Sequence, residues 1–567
     1  MSTTGLYIVD NDQRWFLGPE KILIENKDNL FLHGDLINND TNKLIQRINK
    51  IVGVLSLSSK KIYSIGKKTL KEFIPASSKY PRMLVNCKIH HSNVDKYVVI
   101  DPLKYVPETK YYHGVISEQL GDIGNVDAEN KYLLYRHKLN WQKIHPSLFE
   151  STHTDEFKDI RQDFRNINSF SIDPPNSKDI DDLISYQENK DDSTVTIGVH
   201  IADPSTLIPV GSKLDLLLFK RGSSVYFKDK THHMLPEIWA TQLCSLIEDE
   251  NRLGISVFLT YTMTGELLSG NVYKSIIKNH KQYNYDEFEK SINDILVNNK
   301  LYKFGKILVQ KQSIITDSIY DSHQMVAIYM IEANKWIGEL LSRHYPDHVL
   351  LRIQDSSIKL IVKEYSDLIN KYRSESAQYC FGIKNNNIHH SLNIQNYVHF
   401  TSPIRRYPDI IIHRLLGHLL LNLKDPPIIS PYSLPQTQYL LNETCKTIKK
   451  CVSEMERLLF VQLNPELKVN THAIILGWSM NKLVLLFNEY NFILYGKMYS
   501  NKLIDLIVLE YTDTSITIKN NKNLDQKITF NLGDKINVML CCSPTAKLFN
   551  EKFCIKLSDE YLISLYL

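Results

Sequence analysis

The chain has 567 residues and a formal net charge of +4, with 43% hydrophobic, 10% aromatic and 23% charged residues. That length exceeds what one hydrophobic core holds and predicts about three to five domains at roughly 100–200 residues each, while the composition excludes wholesale disorder. The positive balance is too small to point to nucleic acid by itself, and no run approaches the ~18 apolar residues of a membrane helix.

The first residues, Met1 to Asp10, lack a basic stretch followed by an apolar one, so neither secretion nor membrane insertion is expected. From there to about residue 130, short β-like runs alternate with turn residues, among them Ile22–Ile24, Ile51–Leu57 and Val98–Ile100. Such runs predict small antiparallel barrels, with a turn at His33-Gly34-Asp35. Residues 131–165 are polar and mixed and read as a linker. A mixed region follows to 464, with a β-rich opening and long amphipathic helical patterns at Ser322–His344 and Tyr439–Leu463. From 465 to 567 strands return, at Ala473–Leu476, Leu483–Phe487, Ile516–Lys519, Ile528–Val538 and Phe553–Leu557, and predict one more small barrel. The fold class expected is α+β and multidomain, with barrels flanking a mixed α/β core.

Eight cysteines are scattered without a Cys-x-x-Cys pair or zinc-finger spacing. They read as reduced thiols of an intracellular protein, with the cytoplasm expected over the nucleus.

Four aspartates fall within ten residues in Ser169-Phe-Ser-Ile-Asp173-Pro-Pro-Asn-Ser-Lys-Asp179-Ile-Asp181-Asp182. Pro174 biases Asp173 toward extended backbone at a strand end, and Asn176-Ser177 allows a turn. A strand follows at Val195–Ile201, whose alternation predicts one apolar face. Carboxylates ~4 Å apart repel by about 4 kcal/mol at an effective dielectric near 20, so four that converge need cations, protons or open water. Carboxylate and water ligands favour magnesium or manganese, and paired metals suit in-line displacement at phosphorus. Spacing alone leaves an exposed aspartate-rich turn equally open.

A second motif, His399-Phe-Thr401-Ser402-Pro403-Ile404-Arg405-Arg406-Tyr407-Pro408-Asp409, precedes a helical pattern with Pro408 as its first position and a stop before Pro426. Arg405 and Arg406 then stand just ahead of a helix N-terminus, where backbone N–H groups and forked guanidinium donors favour phosphate. The alternative is a surface arginine paired with Asp409, worth at most ~1 kcal/mol.

Together these motifs resemble the ribonuclease II and ribonuclease R family of RNB-domain 3′–5′ exoribonucleases, whose nuclear relative is the catalytic exosome subunit. Arg221-Gly-Ser-Ser-Val-Tyr226, Met234-Leu-Pro-Glu237 and Leu243-Cys-Ser-Leu246 extend the resemblance in family order, and Leu32-His-Gly-Asp35 and Phe530-Asn-Leu-Gly-Asp534 carry it outward. It implies cold-shock-like barrels at 1–52 and 53–130, a linker at 131–165, an RNB catalytic domain at 166–464 and a C-terminal RNA-binding barrel at 465–567. It also implies magnesium, with manganese as a substitute, at Asp173, Asp179, Asp181 and Asp182. Asp181, Asp179 and Arg405 would be catalytic, and Tyr226, Tyr285, Ser402, Arg405 and Arg406 would contact RNA. With 32 tyrosines in the chain, core packing is the alternative for either ring. The implied partner is single-stranded RNA, bound by a monomer that releases nucleoside 5′-monophosphates; which protein partners recruit it is left open.

Three departures qualify the resemblance. Ala327-Ile328 stands where relatives usually show two glutamates, and Gln282 and Asn284 replace the usual Arg and Thr beside Tyr285. No further nuclease segment precedes the barrels and no long basic tail follows them, so tethering to an exosome ring and strong unwinding are not expected. A catalytically decayed RNA-binding protein is the alternative function, and a non-enzymatic scaffold is a more distant one.

Overall fold

The apolar alternation read from the sequence pairs strands into sheets in the computed structural model. It describes residues 4–557 apart from 11–12, 18–20, 25–30, 42, 49, 66–67, 88–91, 140–143, 149–154, 190–192, 313–319, 356–364, 366–368, 370–371, 373–375, 385–386, 426, 480–481, 491, 499–506 and 523–524. Parts of the predicted linker and Pro426 thus lie outside the described residues. The protein is a mixed α/β multidomain chain that divides into two compact units. One comprises Met1–Asn140, Lys359–Arg373 and Cys451–Leu567, the other Trp141–Ile358 and Ser374–Lys450. No helix among the described residues is long and apolar enough to cross a membrane.

In the first unit, strands from Thr4 to Gln46 form an open five-stranded sheet. Asp35 organises its return: its carboxylate accepts the N–H groups of Leu32 and Ile48, both at 2.7 Å, and pairs with Arg47. The strand Ile51–Leu55 crosses the boundary expected at 52/53. It pairs with both Lys96–Val106 and Lys68–Pro75, which closes a ring through Tyr111–Asp122 and Met83–Asn86. Helix Val126–Arg136 follows, and its Glu129, fully buried, accepts from Tyr97 Oη at 2.9 Å and pairs with Lys552 Nζ at 3.1 Å. Farther along, the single strand predicted over Ile528–Val538 is two, Lys527–Asn531 and Lys535–Cys542. Gly533, at φ +86°, makes the turn between them, a backbone region open to glycine and costly for other residues.

The second unit is built on a seven-stranded sheet: β1 (Gln162–Asp163), β2 (Ser169–Asp173), β3 (Asp182–Glu188), β4 (Thr194–Ala202), β5 (Asn251–Thr262), β6 (Leu267–Lys278) and β7 (Lys281–Asn284). The strand order is β1-β6-β5-β4-β3-β2-β7, antiparallel except for the two edge pairs. Strand β4 is buried on both faces, not on one as its alternation predicts. On the polar face His200, 1% exposed, sits between Ser185 Oγ at 3.0 Å and Ser256 Oγ at 2.8 Å, so neighbouring hydroxyls satisfy a ring that sequence alone would place in solvent.

Burial pushes the His200 imidazole down to about 3. Its unfolded value is about 6.5, so its contribution to stability is complete above that pH and is lost as pH falls toward 3, by at most about 1.4 kcal/mol per pH unit. His200→Gln removes that slope. The gap in melting temperature between the natural chain and the variant is therefore expected to narrow from pH 7 to pH 5, and a gap that stays constant would refute the assignment.

Helix α1 (Ser322–His344) has the predicted limits, α2 (Tyr407–Leu420) begins one residue before Pro408, and α3 (Leu434–Leu463) begins five residues earlier than read. Helix α1 meets an irregular segment at close range: a Cβ on Gly338 would lie 1.9 Å from Asn396 O. Gly338→Ala must displace that backbone and is expected to destabilise the unit by about 1–3 kcal/mol, read as a lower melting temperature. One turn nearer the helix start, Asn334 accepts Phe400 N at 2.9 Å and donates to Tyr397 Oη at 3.0 Å. The helix thereby holds the segment that leads into the two arginines.

Candidate active site

Strand β2 ends at Asp173, and the chain turns through Asn176 at φ +65°. The return is fixed by Ser245, whose Oγ accepts Ile180 N at 2.9 Å and donates to Lys178 O at 2.7 Å. Asp181 O accepts Ala202 N at 2.9 Å, and Asp182 opens β3 opposite Ile201. The second strand of the acidic loop is thus β3, which begins on the last aspartate itself.

Asp181 is 2% exposed. Its Oδ1 accepts Ile404 N at 2.8 Å and its Oδ2 accepts Arg405 Nε at 2.9 Å. Burial still raises its carboxyl to about 7, against the lowering effects of Arg405 and the Ile404 amide. Burial also lifts Asp173 and Asp182 to about 7, with the neighbouring aspartates adding to the rise. The Oδ2 atom of Asp173 is buried without a hydrogen-bond partner. Asp179 faces a different neighbour: Tyr226 Oη donates to its Oδ2 at 2.6 Å, and His233 Nδ1 lies at 3.8 Å.

The arginine segment is clamped by a distant stretch singled out in the sequence. Ser223 forms a β-bridge with Arg406, Ser224 N donates to Arg405 O at 2.9 Å, and Tyr407 N donates to Gly222 O at 2.9 Å. Arg405 Nη2 donates to Ser402 Oγ at 2.8 Å, yet its side chain stays 41% exposed. Arg406 turns elsewhere and donates to Asp409 Oδ1 at 2.7 Å, where Asp409 is fully buried and also accepts Ser402 N at 2.8 Å. The pairing with Asp409 is therefore an interior one. The hydroxyl of Ser402, a residue 3% exposed, supports Arg405.

Tyr285 opens the helix Tyr285–Ser291, and Asn284 is its cap, with Glu287 N donating to Asn284 Oδ1 at 2.9 Å and Asn284 N to Glu287 Oε2 at 3.0 Å. That gives the unusual Asn284 a structural role. Gln282 N donates to Glu248 Oε2 at 2.7 Å, and its amide reaches Ser177 O at 3.3 Å, so it ties β7 to the acidic loop. The Tyr285 ring stacks on His323 at 3.6 Å and 11°, a contact the sequence did not suggest. Tyr285 follows Asn284, which lies opposite Asp173, and burial first, then Asp182 and Asp173, push its phenol up to about 12. Of the departures on α1, Ala327 is exposed and Ile328 is buried in the apolar core.

Asp173, Asp181, Asp182 and Arg405 are therefore brought together, with Asp179 joined through Tyr226 and Tyr285 alongside. Among the described residues no three His, Cys, Asp or Glu side chains close on one point as a finished metal cage. The donor set fits a magnesium ion nonetheless: an orphaned oxygen on Asp173, repelling buried carboxylates and no soft ligand suit a hard cation that keeps water and substrate oxygens in its shell.

Residues 161–304 and 298–422 match the family model of the RNB domain. Exosome complex exonuclease RRP44 of Mus musculus is 25% identical over 457 residues, which span 66% of this chain and 48% of that protein. The chain thus spans about half the length of the curated relatives it matches. Among solved structures, Mycoplasma genitalium RNase R in complex with ribose methylated single-stranded RNA superposes with a TM-score of 0.75 at 17% identity, covering 98% of this chain and 100% of that one. Yeast Ssd1, a pseudonuclease, superposes with a TM-score of 0.64 at 14% identity, covering 98% and 96%.

Proposed function

Because an RNB domain spans residues 161–422, the chain belongs to the RNB-domain family, and we propose that it is a magnesium-dependent exoribonuclease that shortens single-stranded RNA from its 3′ end. The observation that carries this reading is the sharing of Asp181 between Ile404 N and Arg405 Nε. It joins the acidic loop to the more exposed arginine of the pair.

Magnesium, or manganese in its place, would be held by Asp173 and Asp182 with Asp179 and Asp181 beside them, and when bound supplies Lewis-acid activation of water and charge neutralisation at phosphorus. The chain's own residues do the rest. Asp181 Oδ2 and Ser402 Oγ hold the guanidinium of Arg405 at Nε and Nη2, which leaves Nη1 without a protein partner among the described residues and free to donate to a phosphoryl oxygen. Charge that builds on that oxygen during in-line attack by water meets a preorganised donor. The bond to the preceding 3′ oxygen breaks, releasing a nucleoside 5′-monophosphate and a shortened strand. The rings of Tyr226 and Tyr285 provide base-stacking surfaces beside the carboxylates. Preference for RNA over DNA would rest on contacts to 2′-hydroxyl groups, and a DNA oligonucleotide degraded at the same rate would refute it. The protein would act as a cytoplasmic monomer.

The direct test is 5′-labelled single-stranded RNA incubated with the full chain and magnesium. The expected result is stepwise 3′ shortening with 5′-monophosphate release, abolished by EDTA and restored by excess magnesium. Tight binding without release would instead favour a decayed nuclease, a reading supported by the likeness to a pseudonuclease and by Ala327-Ile328.

A further inference from the structure

Arg352 lies in β8 (Leu350–Ile353), opposite Tyr379 of β9 (Gln378–Phe381), and its own N–H donates to Tyr397 O at 2.7 Å. Tyr397 leads directly into the His399–Arg406 segment, so Arg352 is one strand away from the backbone that carries Arg405. The residue is 8% exposed and its guanidinium carbon sits 4.4 Å from the centroid of the Tyr379 ring. Nη1 is buried without a hydrogen-bond partner, and no carboxylate among the described residues pairs with the guanidinium. A buried cation that lacks a counter-charge is unfavourable unless something else supplies one.

Other basic side chains lie near it, and none brings a negative charge. Lys449 of α3, whose ammonium donates to Ser376 Oγ at 3.4 Å, is held below its usual range by burial and by Arg352. His389, with Nδ1 buried and unpartnered, is pushed down to about 4 by burial and then by Arg352. His399, bonded to Tyr379 Oη at 2.8 Å, is held well below the usual imidazole range by burial, Arg406 and Arg352. Arg405 and Arg406 are answered by Asp181 and Asp409. Arg352 and Lys449 have no such answer among the described residues.

We infer that Arg352, with Lys449 and His389 beside it, is a binding site for a phosphodiester of the RNA strand other than the one being cleaved. The inference rests on the RNA-degrading reading above. Tyr379 packs against the guanidinium, the unpartnered Nη1 is the donor a phosphoryl oxygen would take, and a contact of this kind reads charge and not sequence. Its proximity to the Arg405 segment favours a phosphate on the same strand over a freely diffusing anion.

The test measures binding of a 5′-fluorescein-labelled oligouridylate by anisotropy across a series of KCl concentrations, using the full chain with Asp181→Asn to keep the strand uncut. Adding Arg352→Gln is expected to weaken binding about tenfold at low salt and to reduce the slope of log Kd against log salt by about 0.7, the loss of one phosphate contact to a single strand. Arg352→Lys should keep the slope and lose part of the affinity. Unchanged slope and affinity in Arg352→Gln would overturn the assignment. A melting-temperature rise with inorganic phosphate that Arg352→Gln abolishes, together with an unchanged RNA slope, would also overturn it and mark a free-anion site. Where Arg352→Gln fails to fold, Lys449→Gln decides: a smaller slope supports the site and an unchanged one overturns it. Mononucleotide release by the natural chain tests the nuclease reading separately, so the two can fail independently.

Discussion

Asp181→Asn is expected to lower mononucleotide release by about a thousandfold or more while RNA binding stays within a fewfold of the natural chain. Both oxygens of Asp181 are acceptors, one for Ile404 N and one for Arg405 Nε. An asparagine amide has one acceptor and two donors, so whichever way it turns, its NH2 group faces an N–H that it cannot accept. If it keeps Ile404, it pushes Arg405 away from the phosphoryl position. If it keeps Arg405, it loosens the loop that carries it. The lost negative charge also removes part of the field that would hold a cation at the proposed site. A thousandfold loss corresponds to about 4 kcal/mol of transition-state stabilisation. Stability should not fall in step, because the substitution relieves repulsion among carboxylates already held up near 7 by burial. Single-turnover release, anisotropy and a melting curve on one preparation check all three, and a rate within tenfold of the natural chain would refute the role.

Arg405→Lys is the second large effect, expected at about 100- to 1,000-fold in turnover with binding of the strand little changed. The guanidinium divides its donors among Asp181, Ser402 and the open position. A lysine ammonium keeps the charge but cannot hold two anchors and still present a forked edge. The companion substitution Arg406→Lys separates chemistry from scaffolding, since Arg406 is committed to the buried Asp409 and should register in the melting temperature before the rate. Equal rate losses in the two variants would refute the distinction.

The acidic loop and the arginine motif were legible because each is contiguous: Pro174 and the turn after it mark a strand end, and Pro408 marks a helix start. The meeting of Asp181 with Arg405, 224 positions apart, could be implied only by resemblance, because no local pattern encodes it. Sequence reasoning also missed β3, whose first residue is an aspartate that propensity assigns to a turn, and it foresaw only the apolar face of β4, not the burial of the other, where Ser185 and Ser256 make a buried histidine tolerable. It took Ile528–Val538 as one strand because apolar alternation continues through Leu532, whereas the two halves join different sheets on either side of Gly533 with its positive φ. The burial of Ser402 and the stacking of His323 on Tyr285 arise from tertiary packing and left no trace in spacing.

The pairing of Glu129 with Lys552 has a consequence for biosynthesis. Residues 1–140 leave the ribosome long before 451–567, yet both belong to the same compact unit, with the seven-stranded sheet encoded between them. A nascent chain that has reached only the middle of the sequence has made the barrel closed by Ile51–Leu55 but not the cation for its buried carboxylate. Native completion of that unit therefore waits for the last stretch of translation, whereas most of the chemistry-bearing segments are synthesised earlier. Premature termination or a late frameshift would leave Glu129 with the Tyr97 hydroxyl but without its cation.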